Sequence, residues 1–368
     1  MCLYPRKMAN KKYTVTKKNG GCVPSMPITG KDENGWDIYD TRVAEVMIPC
    51  GRCKECLEAK ARNWTARLMQ EIPQTKYNYF ITLTFDPIQL GILKKKTGLD
   101  ECNPLVGVAI RRMLERWRKT NKKSLKHFFI TELGHEGSER IHTHGLIMSD
   151  IPITVEPIEV IPNGGMMAKW KYWKYGHIFV GDYVSGRTIN YLMKYITKID
   201  NDHKNFVGYI FCSPGLGKAW IERMQDTYRY VPKTSLDYMR LPSGQKIKLP
   251  VYYKNKCYNE EEREKIWREF MDKEQLTIAG NNYQENLLTQ RDIKNITEKA
   301  QEINTKLGYG SDSQEWRKLP YCITPAMLRK GKNQDQAHAH ELAKHLAKMA
   351  EFKKIRKKMQ KNLEISKK

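Results

Sequence analysis

Two histidines separated by one residue, His142 and His144, interrupt the apolar run Ile141–Met148. Such a run predicts a strand, and alternate side chains of a strand share a face, so both imidazoles point the same way. A second strand-like segment, Lys126–Leu133, precedes the run, and the link between them, residues 134–139, has the composition of a hairpin loop. Any fold of this chain must therefore accommodate an antiparallel hairpin that carries a histidine pair.

The hairpin also predicts a metal site. If the chain folds back at Gly137, Glu132 lies opposite His142 on the neighbouring strand. One carboxylate and two imidazoles on one face suit a divalent cation that keeps open positions for a substrate phosphate. The alternative is a pair of surface histidines on an amphipathic strand, and the facing glutamate favours the metal.

A nucleophile is predicted on a helix over Arg187–Ile199. At about 100° per residue, its apolar side chains form one stripe, and its tyrosines and lysines form another on a different side. A phenolate can attack phosphorus, and a nearby ammonium favours phenolate over phenol. The alternative is a solvated tyrosine-lysine face. The apolar stripe comprises Ile189, Leu192, Met193, Ile196 and Ile199, and the other comprises Tyr191, Lys194, Tyr195 and Lys198.

Four segments resemble the HUH endonucleases, and within them the two-tyrosine replication initiators of small single-stranded DNA phages, particularly the gokushovirus-like Microviridae. Three segments are similar to the first motif, the histidine motif and the tyrosine motif of that family. The fourth is similar to a cysteine segment that precedes the catalytic domain. In order, the four segments are Phe80–Asp86, Arg140–Ile147, Tyr191–Lys198 and Pro49–Cys56. One departure is Thr143, which stands where the family usually has a bulky apolar residue.

This resemblance implies a metal-dependent enzyme that nicks single-stranded origin DNA for rolling-circle replication. Tyr191 and Tyr195 would be alternating nucleophiles, supported by Lys194 and Lys198, and each would form a 5′-phosphotyrosine link and free a 3′-hydroxyl. His142, His144 and Glu132 would hold Mg²⁺ or Mn²⁺. The implied partners are origin DNA and the host helicase and polymerase, in the cytoplasm of a bacterial host.

Composition agrees with a nucleic-acid partner. The chain has 65 Lys and Arg against 41 Asp and Glu, a net charge of +24, which attracts polyanions. No run approaches the roughly 20 apolar residues of a membrane-spanning helix, so we expect a soluble protein without a membrane partner. Arg140, Lys169, Lys171 and Lys174 are predicted DNA contacts. The rings between those lysines, from Trp170 to Tyr175, either stack on bases or pack as one side of a strand.

The cysteines favour reduced thiols over disulfides, because their number, nine, is odd and the chain is long, at 368 residues. Cys50, Cys53 and Cys56 have a spacing that allows them to share one structural Zn²⁺, which needs a fourth ligand. Cys2 and Cys22 are the candidates, and the resemblance favours Cys2. The alternative is three free thiols at the entry to a helix.

The predicted fold class is α+β, an antiparallel sheet covered by helices, and the resemblance implies a ferredoxin-like or RRM-like core. Strands are expected over Tyr77–Phe85 and Gly176–Val180 in addition to the hairpin, and helices over Glu55–Gln70 and Val106–Lys119. We expect four segments: a cysteine-bearing arm over residues 1–75, the catalytic domain over 76–200, an accessory region over 201–325, and a basic helical tail over 326–368.

Beyond residue 200 the sequence says less. Ser213–Lys218 contains two glycines and a lysine but lacks the spacing of a nucleotide-binding loop, so we expect a turn and no ATPase. Helices are expected over Glu260–Lys273 and Leu328–Leu363, and the basic run Lys353–Lys358 is either a solvated face or a clamp on DNA backbone.

Two other functions are compatible with the sequence. The first is a transposase or plasmid relaxase that uses the same chemistry on another substrate. The second is a non-catalytic DNA-binding protein, which would bind DNA without forming a covalent adduct. Oligomeric state does not follow from the sequence.

Overall fold

The computed structural model describes residues 2–135, 139–161, 164–181, 184–200, 202–203, 206–310 and 320–329. The chain forms two compact units. The first comprises Met1–Lys60, Gln225–Met239 and Ile247–Arg317, and the second comprises Ala61–Met224, Arg240–Lys246 and Lys318–Lys368. The expected helix over Leu328–Leu363 and its basic run lie outside the described residues, apart from Leu328 and Arg329.

The amino-terminal part of the first unit consists of two small antiparallel pairs. β1 pairs with β4, and β2 pairs with β3. A buried carboxylate, Asp40, accepts hydrogen bonds from Arg42 and Arg268 at 2.8 Å, which lowers its pKa to about 2, Arg42 being the larger cause. The strands are β1 (Arg6–Ala9), β2 (Ile28–Lys31), β3 (Asp37–Tyr39) and β4 (Glu45–Ile48).

The second unit begins inside α1 (Lys54–Glu71) and is built on a seven-stranded sheet. All paired neighbours are antiparallel, and the strand order is β11-β6-β7-β5-β10-β9-β8. Its elements are β5 (Tyr77–Thr84), α2 (Pro87–Thr97), α3 (Cys102–Asn121), β6 (Lys126–Leu133), β7 (Ile141–Ser149), β8 (Glu156–Ile161), β9 (Gly165–Trp170), β10 (Trp173–Gly181), α4 (Gly186–Thr197), β11 (Ile210–Cys212) and α5 (Lys218–Met224). The predicted α+β class is confirmed.

Helices cover both faces of this sheet, because side chains alternate along each strand. On β5, Ile81 and Leu83 belong to the apolar cluster formed with α2 and α3. Phe80 belongs to the cluster formed with α1 and α4. The second face also receives Phe128 and Leu146 from the central hairpin, so α4 packs on the same face as the histidine pair.

The rest of the first unit consists of helices and short hairpins. A small core of Leu3, Cys53, Ile278 and Ala300 joins the start of the chain to the last hairpin and helix. The remaining elements are β12 (Tyr238–Arg240), β13 (Lys246–Lys248), α6 (Val251–Cys257), α7 (Glu260–Met271), β14 (Gln275–Ile278), β15 (Asn281–Gln284) and α8 (Gln290–Lys306). Within the described part of the chain, no helix combines the length and the apolar character needed to cross a membrane.

The glycine-containing segment Ser213–Lys218 is a turn, as expected. The Gly217 backbone N–H donates to the buried carboxylate of Glu71 at 2.6 Å, and Arg67 donates to the Leu216 carbonyl at 3.0 Å. A phosphate in this turn would have to displace a buried carboxylate, which agrees with the expectation that it is not a nucleotide-binding loop.

Candidate active site

The central strands bring the predicted metal ligands together. In the register of the β6–β7 hairpin, Glu132 lies opposite His142, and on the other side of β7 Thr82 lies opposite His144. The side chains of Glu132, His142 and His144 offer ligand atoms that all lie within 4.8 Å of one another. The turn residue predicted for this hairpin, Gly137, lies outside the described residues.

The two imidazoles converge on one carboxylate oxygen. Glu132 Oε2 lies 3.2 Å from His142 Nε2 and 3.0 Å from His144 Nε2. The opposite nitrogens are also held: His142 Nδ1 lies 3.1 Å from the Arg140 carbonyl oxygen and His144 Nδ1 lies 2.9 Å from Thr82 Oγ1. Histidine ligands of metals are commonly oriented by such contacts at the other ring nitrogen.

These hydrogen bonds test whether the residues fit a cation. A carbonyl oxygen can only accept, so Nδ1 of His142 carries a proton, and a neutral ring then presents an unprotonated Nε2 to Glu132. Two acceptors that face each other repel unless a proton or a metal ion lies between them. The donor set of two imidazoles and one carboxylate suits a divalent metal.

Burial and charge hold the group in the forms that bind metal. Burial alone would raise the pKa of Glu132, but the hydrogen bonds with His142 and His144 outweigh it and hold that pKa well below its usual range. Burial lowers the pKa of His144 to about 4, so its ring is neutral at neutral pH. Metal binding requires an ionised carboxylate and neutral imidazoles.

Helix α4 presents both tyrosines to the histidine pair. It begins with a capping box, in which Ser185 accepts from the backbone of Thr188 and the Thr188 side chain bonds back. The Tyr195 ring stacks on His144 with centroids 4.1 Å apart, and the Tyr195 hydroxyl donates to the Tyr191 hydroxyl at 2.7 Å. The two phenolic oxygens therefore lie together beside the candidate metal ligands.

The predicted apolar stripe of α4 is buried at Ile189, Leu192, Met193 and Ile196. The helix ends at Thr197 rather than Ile199, with Lys198 as its C-cap.

The two lysines of α4 lie in different surroundings. Lys194 Nζ lies 5.4 Å from the Tyr191 ring centroid, an arrangement in which the cation faces the π-system. Lys198 Nζ donates to Glu132 Oε1 and lies 3.2 Å from His135 Nε2. Lys198 is therefore beside the metal ligands, and Lys194 is beside a tyrosine.

The predicted DNA contacts are spread over the second unit. Lys169, Lys171 and Lys174 are exposed on and around the β9–β10 turn, and Arg140 is half-buried next to β7. The rings of Trp170, Tyr172, Trp173 and Tyr175 are at most 8% exposed and pack in the apolar cluster of α2 and α3. Of the two interpretations of this aromatic run, packing is therefore the one that the structure supports.

The cysteine segment forms a second candidate metal group in the first unit. Cys2, Cys50, Cys53 and Cys56 come within 4.8 Å of one another, whereas Cys22 is exposed and is not among them. Sγ of Cys50 lies 3.9 Å from that of Cys56, and Sγ of Cys53 lies 4.0 Å from that of Cys2. Disulfide sulfurs lie about 2 Å apart, whereas four thiolates at about 2.3 Å from one zinc are separated by roughly 3.8 Å.

Backbone N–H groups also point at these sulfurs. Cys2 Sγ accepts from the Cys50 N–H at 3.1 Å, and Cys50 Sγ accepts from Arg52 and Cys53 at 3.4 and 3.3 Å. Contacts with Cys2, Cys53 and Cys56 hold the pKa of the Cys50 thiol well below its usual range. A thiolate is the form that binds metal.

Sequence analysis overlooked two features of this region. Thr82 holds the second nitrogen of His144, and its place in the segment Phe80–Asp86 was the available signal. The histidines His135 and His203 lie near Lys198 and Asp200, and no spacing pattern links them because they come from separate loops.

Comparison with known proteins identifies similar sequences. Residues 78–200 match a family described as replication-associated protein ORF2. The chain is also 26% identical over 260 residues to the replication-associated protein VP4 of Bdellovibrio phage phiMH2K, an alignment that covers 66% of this chain and 78% of that protein. No solved structure shows a significant match. The matched family segment contains the metal-ligand group and both tyrosines, so the chain is similar to phage replication-associated proteins over its candidate site.

Proposed function

We propose that this protein is the replication initiator of a small single-stranded DNA phage, a metal-dependent HUH-type enzyme that nicks origin DNA by tyrosine attack. The observation that carries the proposal is the position of Tyr195, whose ring stacks on His144 and whose hydroxyl bonds to that of Tyr191. The similarity of residues 78–200 to replication-associated proteins supports it.

Glu132, His142 and His144 would hold Mg²⁺ or Mn²⁺. When bound, such an ion polarises a non-bridging oxygen of the scissile phosphate and balances the charge that develops there. The Arg140 carbonyl and Thr82 orient the two rings, so the ligands are in place before the DNA binds.

One tyrosine attacks the phosphorus in line. The new bond joins the phenolic oxygen to phosphorus, and the bond that breaks joins phosphorus to O3′, which leaves as a hydroxyl after taking a proton. The phenol loses its proton in the same step, and the Tyr191 and Tyr195 hydroxyls, 2.7 Å apart, can pass one. The ammonium of Lys194 favours the phenolate of Tyr191.

Two adjacent phenols suit a cycle of initiation and termination. The phosphotyrosine link keeps the energy of the phosphodiester, so the free 3′-hydroxyl can prime synthesis by a host polymerase behind a host helicase. The second tyrosine can then cut the regenerated origin while the first link is resolved by strand transfer. Residues 76–200 are the catalytic domain in this proposal, and Arg140, Lys169, Lys171 and Lys174 contact DNA. Residues 201–325 are an accessory region, and 326–368 are a basic tail.

The test is covalent capture. Full-length protein is incubated with Mn²⁺ and single-stranded oligonucleotides that tile the genome encoding it, and adducts are detected after denaturation. The wild type should form an adduct, each single variant Tyr191→Phe and Tyr195→Phe should form some, and the double variant none. Peptide mapping should locate the DNA on these two tyrosines, and on Tyr195 if one nucleophile suffices.

A matched control is Tyr209→Phe, a change at a half-exposed tyrosine of the same unit, which should leave the adduct unchanged. An adduct on any residue other than Tyr191 or Tyr195 would overturn the assignment, and binding without any adduct would favour the non-catalytic alternative.

In the first unit, Cys2, Cys50, Cys53 and Cys56 would bind one structural Zn²⁺ that ties the start of the chain to α1. Elemental analysis of freshly purified protein should find about one zinc per chain, since a closed four-thiolate site binds zinc tightly. Cys53→Ser should lose the zinc and unfold its surroundings, whereas Cys22→Ser, at an exposed cysteine outside the group, should keep it. Protein without zinc would remove the proposal.

A further inference from the structure

A second group of histidines and carboxylates lies outside the proposed catalytic group. His135, Asp200 and His203 offer ligand atoms within 4.8 Å of one another. His135 follows β6 and the other two follow α4, so two loops meet here. The carboxyl end of a helix carries partial negative charge, which favours a cation nearby.

Hydrogen bonds fix the positions of these side chains. Asp200 Oδ1 accepts from the backbone N–H groups of Asp202 at 3.1 Å and His203 at 2.9 Å. Its other oxygen, Oδ2, lies 2.7 Å from Nδ1 of His203. The His203 side chain is only 5% exposed, so its ring has little freedom to turn towards solvent.

Each ring has a carboxylate at Nδ1. His135 Nδ1 lies 2.8 Å from Asp202 Oδ2, which matches the Asp200 contact of His203. A histidine that binds a metal through one nitrogen commonly donates from the other nitrogen to a carboxylate, which fixes its tautomer. This arrangement leaves Nε2 of both rings as the atoms with the free lone pairs.

Those two nitrogens face charged groups. His203 Nε2 lies 3.9 Å from Glu139 Oε1, which is longer than a hydrogen bond, while Glu139 Oε2 accepts from Thr324 at 2.8 Å. His135 Nε2 lies 3.2 Å from the ammonium of Lys198. Glu139 therefore stands near enough to act as a further ligand, and one cation already approaches His135.

From this geometry we propose that His135, Asp200 and His203 bind a divalent transition-metal ion, separate from the ion of Glu132, His142 and His144. Two imidazoles with a carboxylate favour ions such as Zn²⁺, Co²⁺ or Mn²⁺ over Ca²⁺. The ion would join the loop after β6 to the segment after α4, and through His135 it would position Lys198. The proposal does not depend on nicking, because it concerns the number of ions bound.

The experiment counts ions in the full-length protein, first loaded with one equivalent of Zn²⁺ for the cysteine group. Co²⁺ is added in a calorimeter and followed by visible absorption, which distinguishes nitrogen and oxygen ligands from thiolates. The wild type should bind two equivalents of Co²⁺. His203→Ala and His142→Ala should each bind one, and the double variant none.

Two further variants make the result specific. Asp200→Asn keeps the shape of the side chain and should weaken the second equivalent at least tenfold. His127→Ala replaces another buried histidine, 8% exposed and bonded to Ser213, and should still bind two. If His203→Ala fails to fold, His135→Ala gives the same comparison at a side chain that is 34% exposed.

The outcomes separate the two metal proposals. If His203→Ala, or His135→Ala in its place, binds as many ions as the wild type, the second site is wrong. A wild type that binds one ion, lost in His142→Ala but kept in His203→Ala, also overturns it. One ion that is lost in His203→Ala but kept in His142→Ala supports the second site and contradicts the metal assigned to Glu132.

Discussion

The two faces of the seven-stranded sheet differ in chemistry although the same strands build both. The face under α2 and α3 is mostly apolar, with Trp117, Met113 and Ile110 at most 2% exposed. The face under α1 and α4 begins in the same way, with Phe80 and Leu192 fully buried, and then changes at His142 and His144. Alternation along a strand lets one hairpin supply both surfaces.

This difference suggests that one face mainly stabilises the fold and the other mainly carries the reaction. Thr143 separates the two histidines in sequence and points to the opposite face, so a substitution can address one surface at a time. If the division holds, changes at the polar group will remove activity with small effects on stability, and changes under α3 will do the reverse.

The largest effect is expected for His142→Ala and His144→Ala. Each should reduce covalent capture by about a thousandfold or more, since each removes a ligand of the proposed metal ion. DNA affinity should stay within a few-fold, because phosphate contacts over the basic surface dominate it. Adduct yield and a filter-binding isotherm measure the two effects, and full cleavage by either variant would contradict the metal assignment.

The converse is Trp117→Ala on the other face. The Trp117 ring packs against Trp170 and Tyr172, with centroids 6.0 and 5.1 Å away, and its removal leaves a large cavity. We expect a loss of about 3–5 kcal/mol in the free energy of unfolding, measured by denaturant titration. Tyr195→Phe, the comparison on the active face, should change that free energy by under about 1 kcal/mol. Similar losses for both variants would remove the division between the faces.

A pH titration sharpens the comparison, since each face buries a histidine with a lowered pKa. Burial lowers the pKa of His127 from 6.5 to about 4. The unfolded chain takes up the proton as pH falls below 6.5, and the folded protein does so only near 4, so the neutral ring stabilises the fold at higher pH. That contribution, up to about 3 kcal/mol, is lost between those values.

The measurement is the free energy of unfolding from pH 7 to pH 4, in wild type and His127→Gln. The variant lacks this titrating ring, so its stability should fall less steeply with acid, and the remaining slope should include His144, whose pKa is also about 4. Parallel curves for the two proteins would show that His127 does not titrate as proposed.

Much of this fold followed from local pattern. The strand predicted over Lys126–Leu133 has those limits in the structure, and the predicted helix over Val106–Lys119 lies within Cys102–Asn121. The hairpin register that faces Glu132 with His142 was also anticipated, because alternation and loop length restrict it. Periodic segments that bury one face are the easiest to predict.

Other elements were missed for identifiable reasons. Helix α2 has an Asp86 N-cap, a proline at its first position and Gly98 at its end, so its local signals were present and simply not used. The strand β8 has an irregular register with β9 and exposed side chains, which gives no clear alternation. The meeting of His135 with His203 depends on how two loops fold together, and no local pattern encodes it.

The smallest expected effect concerns Thr143, which lies between the histidines and faces the apolar side. Its side chain is fully buried, and among the described residues its hydroxyl has no hydrogen-bond partner. A buried hydroxyl without a partner is costly, so Thr143→Val, which keeps the branched shape, should raise the free energy of unfolding by about 1 kcal/mol. Covalent capture should be unchanged, because this side chain points away from His142 and His144.

Thr131→Val is the matched control on the neighbouring strand. Thr131 is also buried, but its hydroxyl donates to Asn103 at 2.7 Å and accepts from the Tyr209 N–H at 2.8 Å. Valine would leave both partners without this contact, so the control should lose about 1–3 kcal/mol. Opposite signs for the two substitutions, measured by denaturant unfolding, are expected. A loss in both would mean that the Thr143 hydroxyl stabilises the fold, and that the apolar face is less uniform than its packing indicates.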